Sequence, residues 1–115
     1  MADDCLFCKI HRGEIPSTEV YSDESFYAFR DINPAAPTHV LVIPRKHIAT
    51  IADAGPEDAE LIGNLVLRAN AIAREENLVE PGFRYVINCG AGAGQTVFHI
   101  HLHLLGGRGM KWPPG

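Results

Sequence analysis

Residues Phe98 to Leu105 read FHIHLHLL. Three of the chain's six histidines, His99, His101 and His103, fall at every second position, with bulky apolar residues between them. That alternation is the period of a β-strand. It predicts a strand over Thr96–Leu105, with the three imidazoles on one face and Phe98, Ile100, Leu102 and Leu104 on the other, in the core. Along such a strand the outer two histidines lie roughly 13 Å apart, at ~3.3 Å per residue. They cannot converge on one atom, so they hold different jobs. A plain solvated face would use Lys, Glu or Thr. A His-x-His pair can present two ligands to one zinc. Neutral imidazole is also a nucleophile or acid–base group near pH 7, and it approaches an anionic phosphate without repulsion.

Just upstream lies Gly90-Ala91-Gly92-Ala93-Gly94-Gln95-Thr96. A dinucleotide-binding glycine loop opens a helix, whereas a strand is expected here, so that fold is excluded. Two readings stay open. The loop is a tight connection between strands, or its backbone amides approach an anion, with the side chains of Gln95 and Thr96 as further donors.

The remainder of the sequence fits one domain over residues 1–115. Hydrophobic residues make up 46% and charged ones 21%, ordinary globular values. A net charge of −4 argues against a phosphate-neutralising nucleic-acid surface. No apolar run approaches the ~20 residues of a membrane span, and MADDCLFCKI has no signal-peptide pattern. Three cysteines, Cys5, Cys8 and Cys89, suggest reduced thiols and a cytoplasmic setting, with Cys89 in the core.

A short helical turn is expected over 5–13, broken at Glu14-Ile15-Pro16. A hairpin follows, Val20–Ser22 and Phe26–Asp31 around Asp23-Glu24. The β-branched run Thr38–Pro44 reads as a central strand. Pro56 and the acidic Glu57, Asp58 and Glu60 open a long amphipathic helix, apolar at Leu61, Ile62, Leu65, Val66, Ala69, Ile72 and Ala73. Phe83–Cys89 is a further strand. The order predicts an α+β fold: a five-stranded antiparallel sheet with one long and one short helix, leaving an edge or face for a second copy to cover.

The histidine strand and glycine loop together resemble the histidine-triad (HIT) superfamily, whose signature alternates three histidines with apolar residues. Lys9-Ile10, Glu14-Ile15-Pro16, Asp31-Ile32, Pro37-Thr38-His39, Val42-Ile43-Pro44, Lys46-His47-Ile48 and Trp112-Pro113-Pro114-Gly115 resemble its Hint branch. The resemblance implies a homodimeric α+β fold with the sheet continued across the interface, and hydrolysis of purine nucleoside 5′-phosphoramidates, with AMP or GMP linked to an amine or to lysine. His101 would attack phosphorus and form a nucleotidyl-histidine, its other ring nitrogen held by a backbone carbonyl. Asp31 resembles the carboxylate on the ribose hydroxyls. Phe7, Ile10 and Ile32 resemble the wall around the base, and Asn88, Gly94, Thr96 and His103 the phosphate contacts. Trp112 would reach the partner subunit's site. Thr96 stands where animal Hint proteins carry serine.

Cys5-Leu6-Phe7-Cys8 is half a zinc site by spacing, and a pair of buried inert thiols is the other reading. The resemblance to bacterial HIT proteins completes a structural zinc site with His47 and His99; the chemistry itself would need no cofactor. His99 could not then also be a free general acid. His11 and His39 have no assigned chemistry. Two rival functions are a non-catalytic nucleotide-binding or adaptor dimer, and a zinc hydrolase using His99 and His101 as ligands.

Overall fold

A computed structural model describes residues 4–115; the first three positions of MADDCLFCKI lie outside it. The elements are α1 (Leu6–His11), β1 (Glu19–Ser22), β2 (Phe26–Arg30), β3 (Thr38–Pro44), α2 (Ala59–Glu75), β4 (Phe83–Val86) and β5 (Leu102–Gly106). The sheet has the order β1-β2-β3-β5-β4, and every pairing is antiparallel. This is the α+β architecture expected. Among the described residues, no helix is long and apolar enough to cross a membrane.

Both faces of the central strands are buried, and this explains their almost unbroken apolar runs. Phe26, Ala28, Val40, Val42, Leu102 and Leu104 pack with Leu65, Ala69, Ile72 and Ala73 of α2. On the opposite face Tyr27, Phe29, Leu41 and Ile43 pack with Phe7, Cys8 and Ile10 of α1. The long helix thus covers one side of the sheet. The short one, capped by Cys5, whose Sγ accepts from the Cys8 amide, covers part of the other. The β1–β2 turn is fixed by Asp23, whose Oδ1 accepts from the amides of Ser25 (2.9 Å) and Phe26 (2.8 Å).

The helix beginning at Pro56 divides in two. Pro56–Asp58 is a 3-10 turn, and α2 proper starts at Ala59. The fourth strand stops at Val86, short of the expected Cys89, and Cys89 is exposed rather than in the core.

The larger correction concerns the histidines. The strand expected over Thr96–Leu105 begins only at Leu102, and residues 96–101 leave the sheet. The register explains why. Val42 pairs with Leu102, so the next positions in line would bring Pro44 opposite Ile100. Proline has no N–H to give the ladder. The Ile100 amide instead donates to the Ile48 carbonyl at 2.8 Å. Ile100, Leu102 and Leu104 still reach the core, but Phe98 is 45% exposed.

Candidate active site

His99 and His101 lie outside the ladder and His103 within it, so each histidine has its own surroundings. His99 is fully buried, and its Nε2 lies 2.7 Å from the Pro44 carbonyl. A carbonyl only accepts, so Nε2 carries the proton and Nδ1 carries a lone pair. That lone pair faces Cys5 Sγ at 3.4 Å, Cys8 Sγ at 3.5 Å and His47 Nδ1 at 3.2 Å. Cys8 Sγ and His47 Nδ1 are 3.4 Å apart. All four donor atoms lie within 4.8 Å of one another. Two sulfurs and two nitrogens so gathered could hold a metal ion, and the Pro44 carbonyl already orients the His99 ring toward them. Burial lowers the His99 pKa to about 4, so the ring is in the neutral form that ligation requires.

His101 is buried, and its Nδ1–H donates to the backbone carbonyl of His99 at 2.8 Å. The remaining nitrogen, Nε2, therefore carries the lone pair. Phe7 stands edge-on to this ring, with centroids 4.9 Å apart. Burial lowers the His101 pKa against the opposing effects of the His99 carbonyl and of Asp31. His103, on β5, lies beside it at 4.9 Å between ring centroids. Burial first, then the neighbouring His101 and His39, lower the His103 pKa to about 4.

These rings open onto a cavity of about 280 Å³. Of the residues singled out from the sequence, Phe7, Ile10, Asp31, Ile32, Thr96, His101 and His103 line it. Its walls are apolar at the α1 end and carry Asp31 near the rim. One Asp31 oxygen is committed, since Oδ1 accepts from the Asn33 amide at 2.8 Å. Ile32 is 90% exposed and is therefore a lip of the cleft rather than core. Asn88, Gly94 and Trp112 are not in its lining; Trp112 is 82% exposed on the C-terminal tail.

Gln95 is not the anion donor that one reading of the glycine loop offered. It is buried, its Oε1 accepts from the Gly90 amide at 2.8 Å, and its Nε2 donates to the carbonyls of Ala49 (2.8 Å) and Val97 (3.1 Å). It staples the glycine loop shut and ties it to the segment after His47. Gly94 holds a φ of +95°, a conformation that favours glycine.

Several lining residues carried no sequence signal of their own. Ile15, Ser17, Phe29, Leu41 and Val97 join the cleft. Phe29 and Leu41 could be found only from the sheet register, in which Leu41 sits directly opposite His103. His39 also emerges: its Nε2 is 2.9 Å from His103 Nδ1.

Residues 12–110 match the family model of the HIT domain. The chain is 52% identical over 112 residues to the 14 kDa zinc-binding protein of Zea mays, covering 96% of this chain and 87% of that protein. It is 47% identical over 104 residues to protein HitA of Neisseria gonorrhoeae, covering 90% of this chain and 96% of that protein. Among solved structures, a HIT family hydrolase from Legionella pneumophila Philadelphia 1 superposes with a TM-score of 0.96 at 59% identity, over 97% of this chain and all of that one. In sequence and in fold alike, the chain belongs to the HIT domain family.

Proposed function

We propose that the chain, as a single domain over residues 1–115, is a nucleotide hydrolase that cleaves the P–N bond of purine nucleoside 5′-phosphoramidates through a nucleotidyl-His101 intermediate. One observation carries this reading. The His101 Nδ1–H is held by the His99 carbonyl, and this leaves a neutral Nε2 lone pair beside an apolar cleft. Nε2 attacks phosphorus as the P–N bond breaks, and the departing amine takes its proton from solvent at the open rim. Water then attacks the nucleotidyl-histidine, the N–P bond breaks, and nucleoside monophosphate leaves as His101 is restored. Two displacements replace one difficult attack by water on an anion. The base would stack in the wall formed by Phe7, Ile10 and Ile32. The second Asp31 oxygen, Oδ2, would take the ribose hydroxyls, and Thr96 and His103 the phosphoryl oxygens; Asn88 and Gly94 would approach from the glycine loop.

Cys5, Cys8, His47 and His99 would hold a zinc ion, which supplies a structural cross-link between α1 and the strand ends. With those four positions closed, His101 is not a ligand, and this disfavours a zinc hydrolase. Strand β4, half-buried throughout, is an edge of the sheet on which a second copy of the chain would pair, bringing Trp112 toward the neighbouring cleft.

The test is trapping. Adenosine 5′-phosphoramidate is mixed with the protein, quenched within milliseconds, and the peptides are analysed by mass spectrometry. The expected adduct is on His101, and His101→Ala loses turnover while still binding AMP. Turnover with the adduct elsewhere, or with none and an unimpaired His101→Ala, ends this reading. Binding without turnover in the unaltered protein favours a nucleotide-binding adaptor.

A further inference from the structure

His39 is a buried histidine that the proposed chemistry does not use. It lies on β3, on the same face as Leu41, and so diagonally across the ladder from His103. Both of its ring nitrogens are engaged. The Ala35 amide donates to Nδ1 at 3.0 Å. An amide only donates, so Nδ1 must keep a lone pair, and the proton of neutral His39 is on Nε2. From there it points at His103 Nδ1, 2.9 Å away. His103 Nδ1 is therefore the acceptor, and the proton of neutral His103 is on its own Nε2. That nitrogen is buried and has no hydrogen-bond partner among the described residues. Buried donors in folded proteins are almost always satisfied, and an exception calls for a functional account.

The same two hydrogen bonds dispose of another reading. Asp31, His39 and His103 lie close enough together to suggest a cation site. A cation on His39 Nε2 would need lone pairs on both ring nitrogens, because the Ala35 amide already occupies one. Neutral imidazole has only one to give. The hydrogen-bonded chain fits the geometry, and a cation does not. Asp31 Oδ2, at 3.5 Å from His39 Nε2, favours the proton on that nitrogen. The arrangement is braced from outside, where Arg108 Nε donates to the Ala35 carbonyl at 3.0 Å.

We propose that His39, gripped by the Ala35 amide, is a positioning residue that fixes His103 as the Nε2–H tautomer, so that His103 donates a hydrogen bond to a non-bridging oxygen of the phosphoryl group being transferred to His101. This rests on the phosphoryl-transfer reading above. It assigns the unpaired donor a partner that arrives only with substrate. A donor placed in advance where charge develops contributes to the rate, and the backbone sets its direction before substrate binds.

The experiment has two readouts. In the full chain labelled with 15N-histidine, long-range 1H–15N correlation spectra report the tautomer of each ring without reference to activity. The expected result is His103 protonated on Nε2, with Nδ1 shifted as a hydrogen-bond acceptor, and loss of that acceptor signature in His39→Leu. For kinetics with adenosine 5′-phosphoramidate, His39→Leu is expected to lower kcat roughly 10- to 100-fold with KM changed less than about threefold. His39→Gln, whose side-chain N–H reaches toward the same acceptor, is expected to recover most of that loss. His103 protonated on Nδ1 in the unaltered protein overturns the proposal, as does a fully active His39→Leu. So does a Gln variant as impaired as the Leu variant. If His39→Leu does not fold, the spectrum of the unaltered protein and the Gln variant still decide. An unaltered protein that does not turn over the phosphoramidate defeats the phosphoryl-transfer reading instead, and it leaves the tautomer measurement to judge His39 separately.

Discussion

Zinc binding at Cys5, Cys8, His47 and His99 predicts a large and selective rise in thermal stability. The folded chain gathers these donors within 4.8 Å, although Cys5 and His99 are 94 residues apart in sequence, so the unfolded chain offers no comparable site. A ligand that binds only the folded state stabilises it by about 4 kcal/mol at a free concentration 1,000 times its Kd. An unfolding entropy near 2.1 cal/mol/K per residue, taken over 115 residues, converts this into a rise in Tm of about 17 °C. The metal-free protein is expected to stay folded, because the core beneath α2, with Leu65, Val40 and Leu104 fully buried, forms a separate cluster from the one containing the cysteines. The assay is calorimetry of chelator-treated protein titrated with zinc. Cys8→Ser is expected to lose most of the rise, and His101→Asn, outside the donor set, to keep it. A shift smaller than about 2 °C in the unaltered protein, or an equal shift in Cys8→Ser, refutes the assignment of these four residues.

Asp31→Ala is expected to raise KM about tenfold for a ribonucleoside phosphoramidate, in keeping with the loss of a charge-assisted hydrogen bond. With the 2′,3′-dideoxy analogue the same change should leave KM almost unaltered; an equal effect on both substrates would show that Asp31 acts only through the turn it closes with Asn33. Asp23→Ala is expected to cost about 2–3 kcal/mol near neutral pH, read by urea unfolding, since it removes the acceptor of Tyr21, Arg68 and two turn amides. Burial alone would raise the Asp23 pKa, but these bonds outweigh it and hold the carboxyl well below its usual range. The stability it contributes is present in full above the unfolded value of 3.8 and is lost as pH falls toward the folded one. The penalty of the substitution should therefore shrink by about 1 kcal/mol between pH 6 and pH 3; a constant penalty would show that the charge is not what matters.

Element existence was legible in the sequence wherever one physical signal dominated. The run THVLVIP is β-branched enough to be a strand, and the apolar steps from Leu61 to Ala73 have a helical period. The cleft was legible only through the family resemblance, because its walls come from α1, β2, β3 and the segment before β5, and no local pattern links them. Two misreadings have identifiable sources. Period-2 alternation continued through Phe98 and suggested strand, but alternation describes side chains, whereas the ladder needs a partner backbone. Gln95 is an anion donor in one reading of the glycine loop, but its side chain is spent instead on three backbone groups, the Gly90 amide and the carbonyls of Ala49 and Val97.

Pro44 shows how the two lessons join. Its position at the end of THVLVIP was visible from the start, yet its consequence appears on the other side of the sheet. Pro44 has no N–H to offer Ile100, and the ladder between β3 and β5 ends at the Val42–Leu102 pair. The Pro44 carbonyl is free to take the His99 Nε2–H, and this turns the His99 lone pair toward the cysteines. With the His99 ring held there, its own carbonyl faces His101 Nδ1. A continuous strand would have put all three imidazoles on one face in equivalent surroundings. Instead the break in the ladder turns the His99 lone pair toward the cysteines and the His101 lone pair toward the cleft, while His103, still on β5, takes its tautomer from His39. The pattern of three histidines is thus only half of the signature: the proline on the neighbouring strand sets His99 and His101 apart, and His39 sets His103.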